Sequence, residues 1–141
     1  MGRILAIDYG RKRTGLAVTD PLQIIANALE TVPTHTLMEY IRNYAAANAL
    51  DAIVVGMPRQ MDGTESESYV YIRPFVEKLR KAFPALKIEM VDERFTSKLA
   101  MQAIIAGGVP RAKRQDKGLV DRVSATIILQ SYLEERSLRR E

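Results

Sequence analysis

Four carboxylates hold positions from which they could do chemistry together: Asp8, Asp92, Glu93 and Asp121. Asp8 closes the apolar run Ile4-Leu5-Ala6-Ile7, and Asp92-Glu93 follow the run in "KIEMVDER". Asp121 lies in "KGLVDRVSATIILQSYL", one turn inside the expected last helix, on a stripe with Ser124, Ala125, Ile128 and Tyr132. In open α/β sheets ligands gather outside the carboxyl ends of the strands, so acids from three distant segments can converge there. Clustered carboxylates repel unless a cation neutralises them. With no cysteine and one histidine, His35, the chain must hold such a cation through oxygen, which favours Mg2+ or Mn2+. Two such ions about 4 Å apart would clamp the attacking and leaving oxygens of a phosphodiester.

Each acid also has a plainer reading. Asp8 can accept backbone amides of the following turn, and Asp92 and Glu93 can form a solvated group with Arg94. Asp121 can pair with Lys117 four residues earlier, although cation before anion is the weaker orientation on a helix. Neighbours on a strand face opposite ways, so one of Asp92 and Glu93 is expected to join the cluster and the other to support it.

Cations flank these acids. Arg11, Lys12 and Arg13 follow Asp8 directly. A second basic segment, "GGVPRAKRQDKG", carries Arg111, Lys113, Arg114 and Lys117 against Asp116 and leads into the helix of Asp121. Both are expected to meet backbone phosphates, which fits a net charge of +4 and an isoelectric point near 9.5. Thr64 in "MDGTE" would add a hydroxyl and a helix start to the same crevice. Gly10 and Gly15 read as turn glycines, His35 as a solvated residue, and Tyr9 as a core residue with base stacking as its alternative.

The elements that must position these groups follow from the apolar pattern. Residues 3–9 and 14–20 read as a hairpin broken by Asp20-Pro21, and 22–32 as a strand, a short helix or both. Thr36 and Glu39 resemble a capping box opening a helix to about Leu50. "AIVVG", 52–56, has the continuous apolar run of a strand covered on both faces. A helix from Thr64 or Glu67 to Phe83 contains Pro74, which implies a kink or a later start. A strand over 86–95, a short helix over 97–106 and a last helix to about Arg136 complete the pattern. Strands first paired, then alternating with helices, predict one α/β domain over 1–141 with a mixed sheet and helices on both faces. No apolar run nears the roughly 20 residues that span a bilayer. Nothing near Met1 resembles a signal peptide, and Ala6 stands where a myristoylation signal needs Ser or Thr. A cytoplasmic protein is expected.

"AIDYGRKRTGLAV", "VVGMPRQMDGTE", "VDERFTS" and "KGLVDRVSATIIL" together resemble the YqgF family in order and spacing, over essentially the whole chain. The resemblance implies an RNase H-like fold and a metal-dependent nuclease that matures the 5′ end of 16S ribosomal RNA, or else resolves branched DNA as a Holliday junction resolvase. Its acidic positions fall on Asp8, Glu93 and Asp121, leaving Asp92, Gly10, Thr64 and Ser124 as supports. Nucleic acid, and with it ribosomal particles, become the expected partners, and symmetric junction cleavage would require a homodimer. Two other readings compete. An inert RNA-binding module would keep the cations without turnover. An ATP-binding domain of the actin and sugar-kinase type also opens on an "IDxG"-like turn, but 141 residues are few for two lobes and no Walker motif is present.

Overall fold

The computed structural model describes residues 2–57, 69–92 and 117–140. Strands β1 (Arg3–Asp8), β2 (Arg13–Thr19) and β3 (Ala26–Pro33) form an antiparallel meander. A one-turn 3-10 helix at Thr34–Thr36 leads into α1 (Leu37–Ala47) and β4 (Leu50–Met57). Helix α2 (Tyr69–Ala82), β5 (Lys87–Asp92) and α3 (Lys117–Arg140) follow. The sheet order is β3-β2-β1-β4-β5, with β4 parallel to both β1 and β5. This is the mixed sheet expected from the sequence.

Central position explains the continuous apolar runs. In β1, residues Ile4 to Ile7 are all 1% exposed or less, because helices cover both faces. Alternation then divides the core in two. Leu5, Ile7, Leu16, Ile53 and Val55 pack against α1 and α2 through Leu37, Ile41, Phe75 and Leu79. Ile4, Ala6, Ala17, Ala52 and Val54 face α3 through Ala125, Ile128, Leu129 and Tyr132. The second layer is built largely of alanine on the sheet side, so the α3 backbone can lie close to β1 and β2. Fixing that distance fixes where Asp121 sits.

Several boundaries differ from the sequence reading for local reasons. The 22–32 segment resolves into a turn followed by β3, an edge strand of which only Val32 is buried. Before it, the Asp20 carboxylate accepts the amides of Ile25 and Ile24 at 2.8 Å, which lowers its pKa and shapes the turn. The expected capping box does not form: Thr36 makes no cap bond, and its hydroxyl donates back to the Pro33 carbonyl at 2.8 Å. The 3-10 turn uses Thr36 before α1 begins. Leu50 opens β4 instead of closing α1, Pro74 lies inside α2, and α3 runs to Arg140. The helix start near Thr64, the helix over 97–106 and the basic segment from 109 to 116 fall outside the described residues.

Candidate active site

Parallel strands β1, β4 and β5 bring Asp8, Met57 and Asp92 to one edge of the sheet, where antiparallel β2 starts with Arg13. Asp8 has the parity of Ile4 and Ala6, so its side chain belongs to the α3 face. Directly opposite it across the ladder is Gly15. A β-carbon built on Gly15 would overlap the carbonyl oxygen of Asp121 and lie 2.9 Å from the Asp121 β-carbon. Cross-strand β-carbons are about 4.5–5.5 Å apart, which sets a ceiling of about 8 Å between the β-carbons of Asp8 and Asp121. The two acids meet over a glycine. Gly15 is therefore a close-approach glycine inside β2, not the turn residue its sequence context suggests.

Asp121 also has a cation beside it. Arg13 donates from Nε to its Oδ2 at 2.5 Å, with the two side chains 40% and 20% exposed. This ion pair reaches across 108 positions to β2, while the side chain of Lys117, the partner the sequence offered, lies outside the described ones. Arg13 shares the parity of Gly15 and Ala17, and that is the one sequence signal from which the pairing could have been found.

A closed hydrogen-bond circuit holds the cationic turn in place. The Thr34 hydroxyl donates to the Gly10 carbonyl at 2.6 Å, so the Thr14 hydroxyl must supply the proton of the 2.9 Å Thr14–Thr34 bond. Thr14 in turn accepts the Gly10 amide at 3.5 Å, and the Thr34 amide donates to the Lys12 carbonyl at 3.0 Å. A side chain at Gly10 would strike the Arg13 carbonyl. The turn presenting Arg11, Lys12 and Arg13 is thus braced by the 3-10 segment, a role for Thr14 and Thr34 that the sequence did not suggest. Gly10, Arg11, Lys12, Arg13 and Asp121 line a crevice of about 550 Å³.

The other expected site residues divide clearly. Ser124 lies on the Asp121 stripe and is 2% exposed. Asp92 ends β5, and Lys117 opens α3. Thr64, Glu93, Arg111, Lys113 and Arg114 lie outside the described residues. Among the described residues no group of three metal-ligating side chains occurs. Asp8 and Asp121 supply hard carboxylate oxygens, and the chain has no cysteine, a donor set suited to Mg2+ or Mn2+.

Comparison with known proteins adds family identity to this geometry. Residues 2–135 match the family model described as "RuvX: Holliday junction resolvase". The chain belongs to the RuvX family. A relative from Porphyromonas gingivalis, named "Putative pre-16S rRNA nuclease", is 60% identical over 95% of this chain and 97% of its own length. A relative of the same name from Phocaeicola vulgatus is 59% identical over 96% of this chain and 98% of its own. The RuvX chain also shares its fold with Thermus thermophilus RuvC bound to a Holliday junction substrate, at a TM-score of 0.54 and 19% identity, covering 97% of this chain and 96% of that one. These matches agree with the YqgF resemblance and with the RNase H-like sheet.

Proposed function

We propose that this protein is a divalent-metal-dependent nuclease that hydrolyses phosphodiester bonds in the precursor of 16S ribosomal RNA, within a single domain over 1–141. The observation that carries the proposal is the convergence of Asp8 and Asp121 at Gly15, beside the braced cations Arg11 to Arg13. The names of the relatives supply the RNA class.

In this reading Asp8, Asp121 and Glu93 hold Mg2+ or Mn2+, which when bound activates water and neutralises charge on the phosphate. Glu93 enters as the third acidic position that the family resemblance assigns, next in sequence to the end of β5. Arg11 and Lys12 draw the polyanion into the crevice and hold its phosphates. Arg13 neutralises Asp121 while no ion is bound, and the alanine-lined seat of α3 sets where Asp121 stands. Arg111, Lys113, Arg114 and Lys117 extend the phosphate track, with Asp92, Thr64 and Ser124 as supports.

A second reading, resolution of branched DNA, is favoured by the family description and the RuvC fold. A cleavage panel separates the two: precursor 16S RNA, unstructured RNA and a four-way DNA junction, each with Mg2+, Mn2+ or chelator. Cleavage of the RNA precursor, abolished by chelator and reduced at least about a hundredfold in Asp8→Asn and Asp121→Asn, is the expected result. That loss corresponds to about 3 kcal/mol of transition-state stabilisation. Full activity of Asp121→Asn would sink the carboxylate site, and junction cleavage without RNA cleavage would move the protein to the second reading.

A further inference from the structure

A second cavity opens on the other side of the β1 end. It has a volume of about 370 Å³ and is lined by Tyr9, Arg11, His35, Tyr71, Phe75 and Lys78 among others. Tyr9 follows Asp8 directly, so the two side chains leave the sheet on opposite faces from α-carbons 3.8 Å apart. Asp8 belongs to the α3 side, whereas Tyr9 packs against the α1/α2 core. Arg11 lines both this cavity and the crevice of Asp121. The two spaces are neighbours around one strand end.

The lining has a specific chemistry. Its floor is firm: the Tyr9 and Phe75 rings pack with centroids 4.7 Å apart, and Phe75 is 6% exposed. Its wall is an available aromatic face, since Tyr71 is 43% exposed, with the Arg11 guanidinium 4.4 Å above the ring. Its charged groups are Arg11 and Lys78, and its described lining includes no acid. An anionic ligand with a flat π-face satisfies all three features, because the ring stacks and the cations take the phosphate. The volume sits at the lower end of small-ligand pockets, which suits a single nucleotide. Bases inside a duplex are stacked and paired, so only an unpaired or extruded base can enter.

We infer that this cavity binds one unpaired nucleotide of the substrate strand, adjacent to the phosphodiester held at Asp8 and Asp121, with its base stacked on Tyr71. The inference rests on the nuclease reading and narrows it: the substrate carries an unpaired base beside the bond that is cut. The Arg11 guanidinium either yields the Tyr71 face to the base or closes over it as the second half of a sandwich.

Binding measurements in chelator, where no cleavage occurs, test this. The probes are an unstructured RNA of about ten nucleotides, its DNA equivalent and a blunt duplex of the same sequence, each read by fluorescence anisotropy. Tyr71→Ala is expected to weaken single-strand binding about tenfold and to change duplex binding by less than about twofold. Tyr71→Phe keeps the ring and should restore wild-type affinity. A fluorescent purine analogue in the single strand should be quenched by the wild type and by Tyr71→Phe but not by Tyr71→Ala. This pattern with either sugar supports the pocket, and the tighter strand names the preferred one. Equal weakening of strand and duplex, or no change in either, would overturn it while leaving the nuclease reading intact wherever the wild type still cleaves. A wild type that binds none of the single-strand probes would overturn the pocket, and the cleavage panel alone would then decide the nuclease reading.

Discussion

Gly15 and Asp121 approach more closely than any side chain at position 15 would permit, and Asp8 is the cross-strand neighbour of that same glycine. Helix, strand and both acids are therefore fixed by one missing methyl group. The seat is wider than this point: Ala6, Ala17 and Ala52 on the sheet and Ala125 on α3 belong to one buried cluster, where short side chains let the helix lie low between the larger Ile4, Val54, Ile128 and Leu129.

Gly15→Ala should consequently damage both stability and activity. At an unstrained site the same change would stabilise by about 0.4–1 kcal/mol through the unfolded chain. Here the new β-carbon meets backbone, which cannot rotate away, and overpacking of this kind costs about 1–3 kcal/mol. The overlap wins. Urea unfolding should show the loss, and cleavage should fall by about a hundredfold, because small displacements of a reacting constellation carry penalties of that order. Wild-type stability and turnover would show that α3 does not need its present height.

Arg13 is expected to compete with metal for Asp121. Its guanidinium supplies the positive charge that a divalent ion would otherwise bring, across a partly exposed ion pair worth about 1 kcal/mol or less. Arg13→Gln should therefore raise Mn2+ affinity by roughly fivefold, read by calorimetry without substrate. The same variant should lower the slope of log affinity against log salt for nucleic acid by about one contact. Weaker Mn2+ binding would instead mean that Arg13 orients Asp121 for the ion.

Asp92 and Glu93 can be separated by substitution. Neighbours on a strand face opposite ways, so one of the two is expected in the acid cluster, and the family resemblance assigns that place to Glu93. Glu93→Gln should abolish cleavage, whereas Asp92→Asn should keep appreciable activity. The reverse outcome in a cleavage assay would exchange the roles of the two acids.

How much of this was legible depended on how many neighbours constrained each residue. β1 and β4 are buried on both faces, so their apolar runs could be read directly as central strands. The Asp121 stripe was legible for the same reason: Ser124, Ala125, Ile128 and Tyr132 have no exposed alternative. β3 was ambiguous because an exposed edge strand lacks a hydrophobic period to read. The Thr36-Glu39 pattern suggested a cap, yet a preceding 3-10 turn redirected the Thr36 hydroxyl, and no local pattern announces that competition. The Arg13–Asp121 pair and the Gly15 contact depend on tertiary closure between segments more than a hundred residues apart, which spacing alone does not encode. Tyr71 and Lys78 were invisible as site residues because on α2 they read as ordinary exposed positions.

The last prediction concerns the basic segment "GGVPRAKRQDKG", residues 107–118. Its plain reading is a solvated connector whose charges keep the protein soluble. Three facts argue for a phosphate track. Arg111, Lys113, Arg114 and Lys117 face a single acid, Asp116, so the segment is strongly net positive. In sequence it leads into α3, whose fifth residue is Asp121. The crevice at Asp121 is already lined by Arg11, Lys12 and Arg13, so a strand crossing it would extend along further cations. Each phosphate contact contributes about 0.7–0.9 to the slope of log affinity against log salt. Replacing Arg111, Lys113 and Arg114 together by Ala should weaken nucleic-acid binding and flatten that slope by roughly two. Thermal unfolding and Mn2+ affinity should stay near wild type, since none of the three is proposed to touch the metal. An unchanged slope with unchanged affinity would return the segment to its role as a connector.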